Sequence, residues 1–101
     1  MEPREVRRVL DDGQPLRGNR VILFLAPGSG RPAFVVGRRV GGAVQRNRAR
    51  RILREAWRQV APVSVERNDV VLVARAGIRG ARTQDLVGEM RELLRRRTTR
   101  A

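Results

Sequence analysis

Between residues 43 and 60 the apolar side chains Ala49, Ile52, Leu53, Ala56, Trp57 and Val60 recur at i, i+3, i+4, i+7, i+8 and i+11. That spacing predicts a helix from Ala43 to Val60 with one stripe packed on a core. At roughly 100° per residue, Asn47, Arg50, Arg51, Arg54 and Arg58 gather on the opposite side. Arg48 lies at the edge of that arc, and Arg46 lies beside the stripe in the first turn. From Arg38 to Arg58 there are eight arginines and one acid, Glu55. A solvated helix face usually mixes signs to gain i,i+4 pairs. This one repels itself and calls for an anionic partner.

The charge extends through the chain. The 101 residues include 23 basic and 10 acidic side chains, a net charge of +13, and every basic residue is arginine. A GC-rich coding bias accounts for most of the missing lysine, so the weight rests on where the arginines stand. Such a balance points first to nucleic acid and second to an acidic membrane surface. No apolar run approaches the roughly 18 residues of a membrane span, and no secretory pattern opens the chain. A cytoplasmic protein with no membrane partner is therefore expected, folded as a single RNA-binding domain over residues 1–101.

The missing residues exclude whole chemistries. There is no Cys, His, Tyr or Lys. Disulfides, thiolate nucleophiles, the commonest general base and the commonest metal ligand are all absent. The ten carboxylates form no DxD, HExxH or EF-hand pattern. No catalytic residue, metal site, cofactor or small-molecule substrate is expected of this chain itself.

Along the chain, Pro3 to Leu10 predicts a short helix. The proline suits a first turn, Glu2 and Glu5 suit the positive helix end, and Asp11-Asp12-Gly13 reads as a stop and turn. Arg20 to Ala26 is a strand that is apolar on both faces. Pro27 to Pro32 is a turn-rich connector without the GxxxxGK[ST] pattern of a nucleotide loop. Ala33 to Val40 predicts a second strand, with a hairpin to the first as the simplest pairing. Arg38 and Arg39 then stand at the strand end, next to the basic helix, and make one electropositive corner with it. Pro62 stops that helix. Asp69 to Arg75 is a third strand, and the strand–helix–strand succession asks for a parallel pair. Gly77-Ile78-Arg79-Gly80 has the GxxG form of a KH loop, but it follows a strand where that loop joins two helices. Gln84 to Arg97 is the last helix, with Leu86, Val87, Met90, Leu93 and Leu94 as its stripe. Arg95-Arg96-Arg97 suits the helix dipole and needs no ligand to explain it. Thr98 to Ala101 is expected to fray.

The run from Gly41-Gly42-Ala43-Val44-Gln45-Arg46-Asn47-Arg48 to Glu55 resembles the signature of the bacterial ribonuclease P protein family. There a strand ending in two basic residues leads through a glycine turn into an Arg-Asn-Arg helix. Arg54-Glu55-Ala56-Trp57 is similar to the basic-acidic-Ala-aromatic close of that signature. Glu5 to Leu10 followed by Gly13, the Val21 to Leu25 strand, the Asp69 to Arg75 strand and the closing helix also fall in family order. The resemblance implies an α+β fold: an α/β sandwich of order α-β-β-α-β-α with a small mixed sheet. It further implies a left-handed βαβ crossover, against the usual rule, and likeness to a domain of a small-subunit ribosomal protein.

By the same resemblance, the chain is the accessory subunit of an RNA enzyme that removes the 5′ leader of precursor tRNA. The partners implied are the catalytic RNA and precursor tRNA. Catalysis belongs to the RNA, and the RNA–protein holoenzyme requires Mg2+. Arg46, Arg48, Arg50, Arg51 and Arg54 would make charge-assisted bonds to phosphate, with Arg38, Arg39 and Arg58 extending that surface. Asn47 would face bases or 2′-OH groups, or hold a neighbouring arginine. The family's leader cleft lies between the first helix and the sheet and falls by position on Val6, Leu10 and Phe24.

Two departures stand out. The family usually carries a further basic stretch before its first helix, so a trimmed version or an internal start is expected here. Val6 and Leu10 stand where the family favours aromatics, and they suit a core as readily as a cleft. A ribosomal protein or general RNA chaperone shares the charge but not the ordered Arg-Asn-Arg run. An autonomous nuclease needs converging carboxylates, which this sequence scatters.

Overall fold

The computed structural model describes residues 1–64 and 67–99. Its elements are α1 (Pro3–Asp12), β1 (Gln14–Arg17), β2 (Val21–Pro27), β3 (Pro32–Val35), α2 (Ala43–Ser64), β4 (Asn68–Ala74) and α3 (Thr83–Thr99). Two 3-10 turns, Arg38–Val40 and Ala76–Ile78, flank α2 and β4. The architecture is α+β, with a four-stranded mixed sheet in the order β1-β2-β4-β3.

The two central strands dictate the layers. β2 and β4 are apolar on both faces, so both faces must be covered. They pair antiparallel, with Leu23 opposite Leu72 and Phe24 opposite Val71. On one face Val21, Leu23, Leu25, Val70 and Leu72 pack against α2 and α3. The α2 stripe of Ala49, Ile52, Leu53, Ala56, Trp57 and Val60 is buried there, as is the α3 stripe of Leu86, Val87, Met90, Leu93 and Leu94. Both stripes lie where their periodicity predicted. On the other face α1 sets Val9 over Ala26 and Val71, with Val6, Leu10, Phe24, Ala33, Val35 and Val73 partly buried around them. Gly13 makes the turn from α1 into β1. Its N–H donates to the Val9 carbonyl at 2.8 Å, and a Cβ there would stand 2.4 Å from that oxygen.

The structure corrects several expectations. The element order is α-β-β-β-α-β-α, one strand more than expected. The added strand, β1, pairs antiparallel with β2. It has one inward apolar residue, Leu16, and carries Pro15, so it presents no alternation to read. The expected strand Ala33–Val40 is the shorter β3, which pairs with β4 in parallel and not with β2 in a hairpin. β2 already has β1 on one edge and the long apolar β4 on the other, and that distant partner displaces the local one. Arg38 and Arg39 consequently sit in a 3-10 turn and not at a strand end. The helix expected to stop at Val60 continues through Pro62 to Ser64; the proline leaves one carbonyl of the preceding turn without a helical donor, close to the end where the last carbonyls lack one in any case. α1 takes in Asp11 and Asp12. Thr98 and Thr99 complete α3, and the rest of the tail lies outside the described residues. The parallel pair flanking α2 is as the strand–helix–strand succession required.

Candidate RNA interface

The α2 helix presents its charge on the side away from the core. Asn47, Arg51, Arg54 and Arg58 are exposed, and Arg46, Arg48 and Arg50 are half-buried. Among the described residues, no carboxylate lies within ion-pair distance of any α2 arginine. The ion pairs there use Glu5, Asp69, Glu89 and Glu92, which lie on α1, β4 and α3. Six arginines on α2 thus face a single acid on the same helix, Glu55, and pair with none of the carboxylates of α1, β4 or α3.

These arginines do unlike things. Arg46 donates to the Gly41 carbonyl at 3.0 Å and closes the turn into α2. Arg48 donates to the Ala81 carbonyl at 2.6 Å, which ties the start of α2 to the loop before α3. Arg50 donates to Asn47 Oδ1 at 3.4 Å, a long and exposed bond within the helix. The Arg54 guanidinium stands 5.8 Å from the centre of the Phe34 ring, within cation–π range. Arg51 and Arg58, like Arg38 and Arg39 in the turn before α2, have no side-chain partner among the described residues. The helix thus divides into arginines that build the corner and arginines that only display charge.

The second zone is the sheet face beside α1. Val6, Leu10 and Phe24 come together there with Val35 and Val73, all half-buried. They are neither a sealed core nor free surface, so an apolar floor remains open beside the helix. Farther along this face a groove of about 440 Å³ is lined by Ile22 and Val73, with Asn19, Arg39 and Arg75 around it. Arg75 is fixed by donating to the Gly18 carbonyl at 2.9 Å. Arg39 therefore joins the two zones: it belongs to the turn leading into α2 and also lines the sheet groove. Sequence reading passed over Arg75 and Asn19, because neither lies in a periodic pattern.

Sequence reading also missed the residue that fastens α1. Asp69 is 1% exposed. Its Oδ1 accepts the backbone N–H groups of Ser29 and Arg31, each at 3.2 Å. Its Oδ2 accepts from the guanidinium groups of Arg8 at 3.1 Å and Arg31 at 3.3 Å, and Arg31 also pairs with Glu5. Burial alone would raise the Asp69 pKa, but the bonds from Arg31 and Ser29 outweigh it and hold the carboxyl below its ordinary value. Gly28 is required beside it, because a Cβ there would lie 2.2 Å from the carboxylate. On α3, Glu89 similarly accepts the N–H groups of Arg20 at 2.8 Å and Val21 at 3.0 Å, which pins the turn between β1 and β2.

The buried Asp69 and the half-buried Glu89 are committed to N–H donors. Among the described residues, no three acidic side chains converge to hold a metal ion. No helix among the described residues is long and apolar enough to cross a membrane.

Known proteins share both the sequence and the fold. Residues 1–98 match the family described as Ribonuclease P. The ribonuclease P protein component of Chloroflexus aurantiacus is 46% identical over 76 residues, which cover 72% of this chain and 56% of that protein. That of Natranaerobius thermophilus is 38% identical over 74 residues, covering 70% of this chain and 64% of that protein. The chain therefore spans less than two thirds of the length of these relatives. Its fold is shared with the RNase P protein from Thermotoga maritima, with a TM-score of 0.80 at 22% identity, covering 92% of this chain and 91% of that one. The Staphylococcus aureus RNase P protein gives 0.79 at 17% identity, covering 94% and 90%. With the family match running from residue 1 to residue 98, this chain belongs to the ribonuclease P protein family.

Proposed function

We propose that this chain is the protein subunit of a ribonuclease P, binding the catalytic RNA and the 5′ leader of precursor tRNA while the leader is cleaved. The observation that carries this reading is the α2 arginine row, which has no carboxylate partner among the described residues. Arg50, Arg51, Arg54 and Arg58 neutralise phosphates of the catalytic RNA, helped by Arg38 and Arg39 in the preceding turn. Arg46 and Arg48 brace the corner and offer their remaining N–H groups to the same backbone.

The single-stranded leader lies over Val6, Leu10 and Phe24. It passes along the sheet groove between Arg39 and Arg75, with a base stacked on Phe24 and its phosphates near the guanidiniums. Phosphodiester hydrolysis and its magnesium requirement belong to the RNA. This chain supplies binding and orientation, in keeping with a sequence free of His, Cys and Lys.

Reconstitution tests this. The protein is mixed with a bacterial ribonuclease P RNA at low magnesium, and release of the 5′ leader from a precursor tRNA is followed. Strong stimulation, lost when Arg51, Arg54 and Arg58 are replaced together by Ala, is the expected result. Binding without stimulation points to another RNA partner. Neither binding nor stimulation sinks the reading and favours a ribosomal or general RNA-binding role.

A further inference from the structure

A separate recess opens at the start of α2. It has a volume of about 480 Å³ and is lined by residues of the Arg38–Val40 turn, the first turns of α2 and the segment around Ile78. That volume falls in the roughly 300–1,000 Å³ range of pockets for small organic ligands. Its floor is Val40, Ala49 and Ile78, which belong to the α2–α3 core and not to the cluster under α1. The recess is therefore distinct from the leader cleft.

The rim is polar. Arg48 is held in place by its 2.6 Å bond to the Ala81 carbonyl, which leaves other N–H groups of its fork to face the recess. Arg79 is exposed and has no side-chain partner among the described residues. Gln45 adds an amide with one acceptor and two donors. One turn before Arg48, Val44 is 79% exposed, the exposed large apolar side chain among the described residues.

An apolar floor, an amide and two guanidiniums match the parts of a nucleotide. The base is flat and largely apolar with a polar edge, and the phosphate is anionic. A bare phosphate or carboxylate would satisfy the arginines and leave the floor unused. We propose that this recess receives one unpaired base of the bound RNA, with its edge against Gln45 and its phosphate on Arg48 and Arg79. Unstacked bases in loops and bulges are what proteins mostly read in RNA. The inference rests on the proposed RNA-subunit reading and adds to it a site for a single extruded nucleotide.

The test is methyl-labelled, deuterated full chain bound to a bacterial ribonuclease P RNA. The expected result is nuclear Overhauser contact between base protons and the methyls of Val40, Ala49 and Ile78. Gln45→Trp, an exposed helix position, should cover the recess, remove those Overhauser signals and weaken RNA binding by about tenfold, the order expected for one bound base. Tight RNA binding with no base proton near these methyls overturns the recess proposal and leaves the RNA-subunit reading standing. Failure of the wild-type chain to bind the RNA overturns both.

Discussion

The Arg8 guanidinium on α1 stands 3.1 Å from the Asp69 carboxylate on β4, across 61 positions of sequence. Arg31 joins the same carboxylate from the connector before β3 and reaches on to Glu5 of α1. Apolar contact alone would let α1 slide over the sheet, because such contact is not directional. The shared acid fixes where the helix lies, and hence the spacing between Val6, Leu10 and Phe24.

Asp69→Ala should be among the most damaging single changes. It leaves the N–H groups of Ser29 and Arg31 without their acceptor and removes the anchor of Arg8. Each buried unsatisfied donor costs about 1–3 kcal/mol, and the half-exposed guanidiniums add little. The two donors together put the loss at about 2–6 kcal/mol, toward the low end because Ser29 and Arg31 are exposed residues that water can reach, read as a lower urea midpoint. Gly28→Ala should be destabilising for the same reason from the other side, because its Cβ collides with this carboxylate.

The same network sets the acid response. Asp69 is held below its ordinary pKa by Arg31 and Ser29 against the opposing effect of burial. Glu5 is held below its own by the Arg31 guanidinium and the Glu2 backbone. A carboxylate with a lowered folded pKa contributes stability that is present above the unfolded value. That stability is lost as pH falls through the folded value. Stability should be level near neutrality and decline below about pH 4, where ordinary carboxylates bind protons. Urea midpoints measured down the pH scale should fall less steeply in Asp69→Asn, and an unchanged slope would remove Asp69 from the account.

Bracing and displaying arginines should separate by experiment. Arg51→Ala and Arg58→Ala should leave stability within about 0.5 kcal/mol, as surface changes do. Each should also lower RNA affinity and reduce the log–log salt slope by roughly 0.7–0.9 for every phosphate no longer neutralised. Arg48→Ala should lower both stability and affinity, because the Ala81 carbonyl loses its donor. Thermal melts and filter binding over a salt series distinguish the two kinds. Equal behaviour of all three variants would refute the division.

Phe24→Ala should weaken binding of a precursor tRNA with a leader by about 1–3 kcal/mol, the value of one stacked base. Binding of the catalytic RNA alone should not change. Comparing precursor with leaderless tRNA on the reconstituted complex isolates the effect.

The parts legible in the sequence were those written as short-range period. The α2 and α3 stripes repeat every three to four residues, so the buried set was readable position by position, and so was the opposing arginine arc. The β strands were legible only where they were apolar throughout. β1 has a single inward Leu16 and gives no alternation, and the partner of β3 depends on β4, more than thirty residues downstream. Asp69 was not legible at all, because nothing near it in sequence reveals that Arg8, Ser29 and Arg31 will meet there. Positions of charge were readable, but the split between Arg48 and Arg51 was not. It depends on where the Ala81 carbonyl arrives in space.

β4 lies between β2 and β3 in the sheet, yet among the described residues it follows all three other strands. During synthesis the growing chain must carry β1, β2, β3 and the whole of α2 before the strand that joins them exists. Until residues 68–74 emerge, β3 has no neighbour and β2 is paired only along its β1 edge. Sheet closure and the setting of α2 against its core therefore become one late event, with a long loop to close beforehand. A nascent chain therefore carries the α2 arginines well before it holds them in a fixed array.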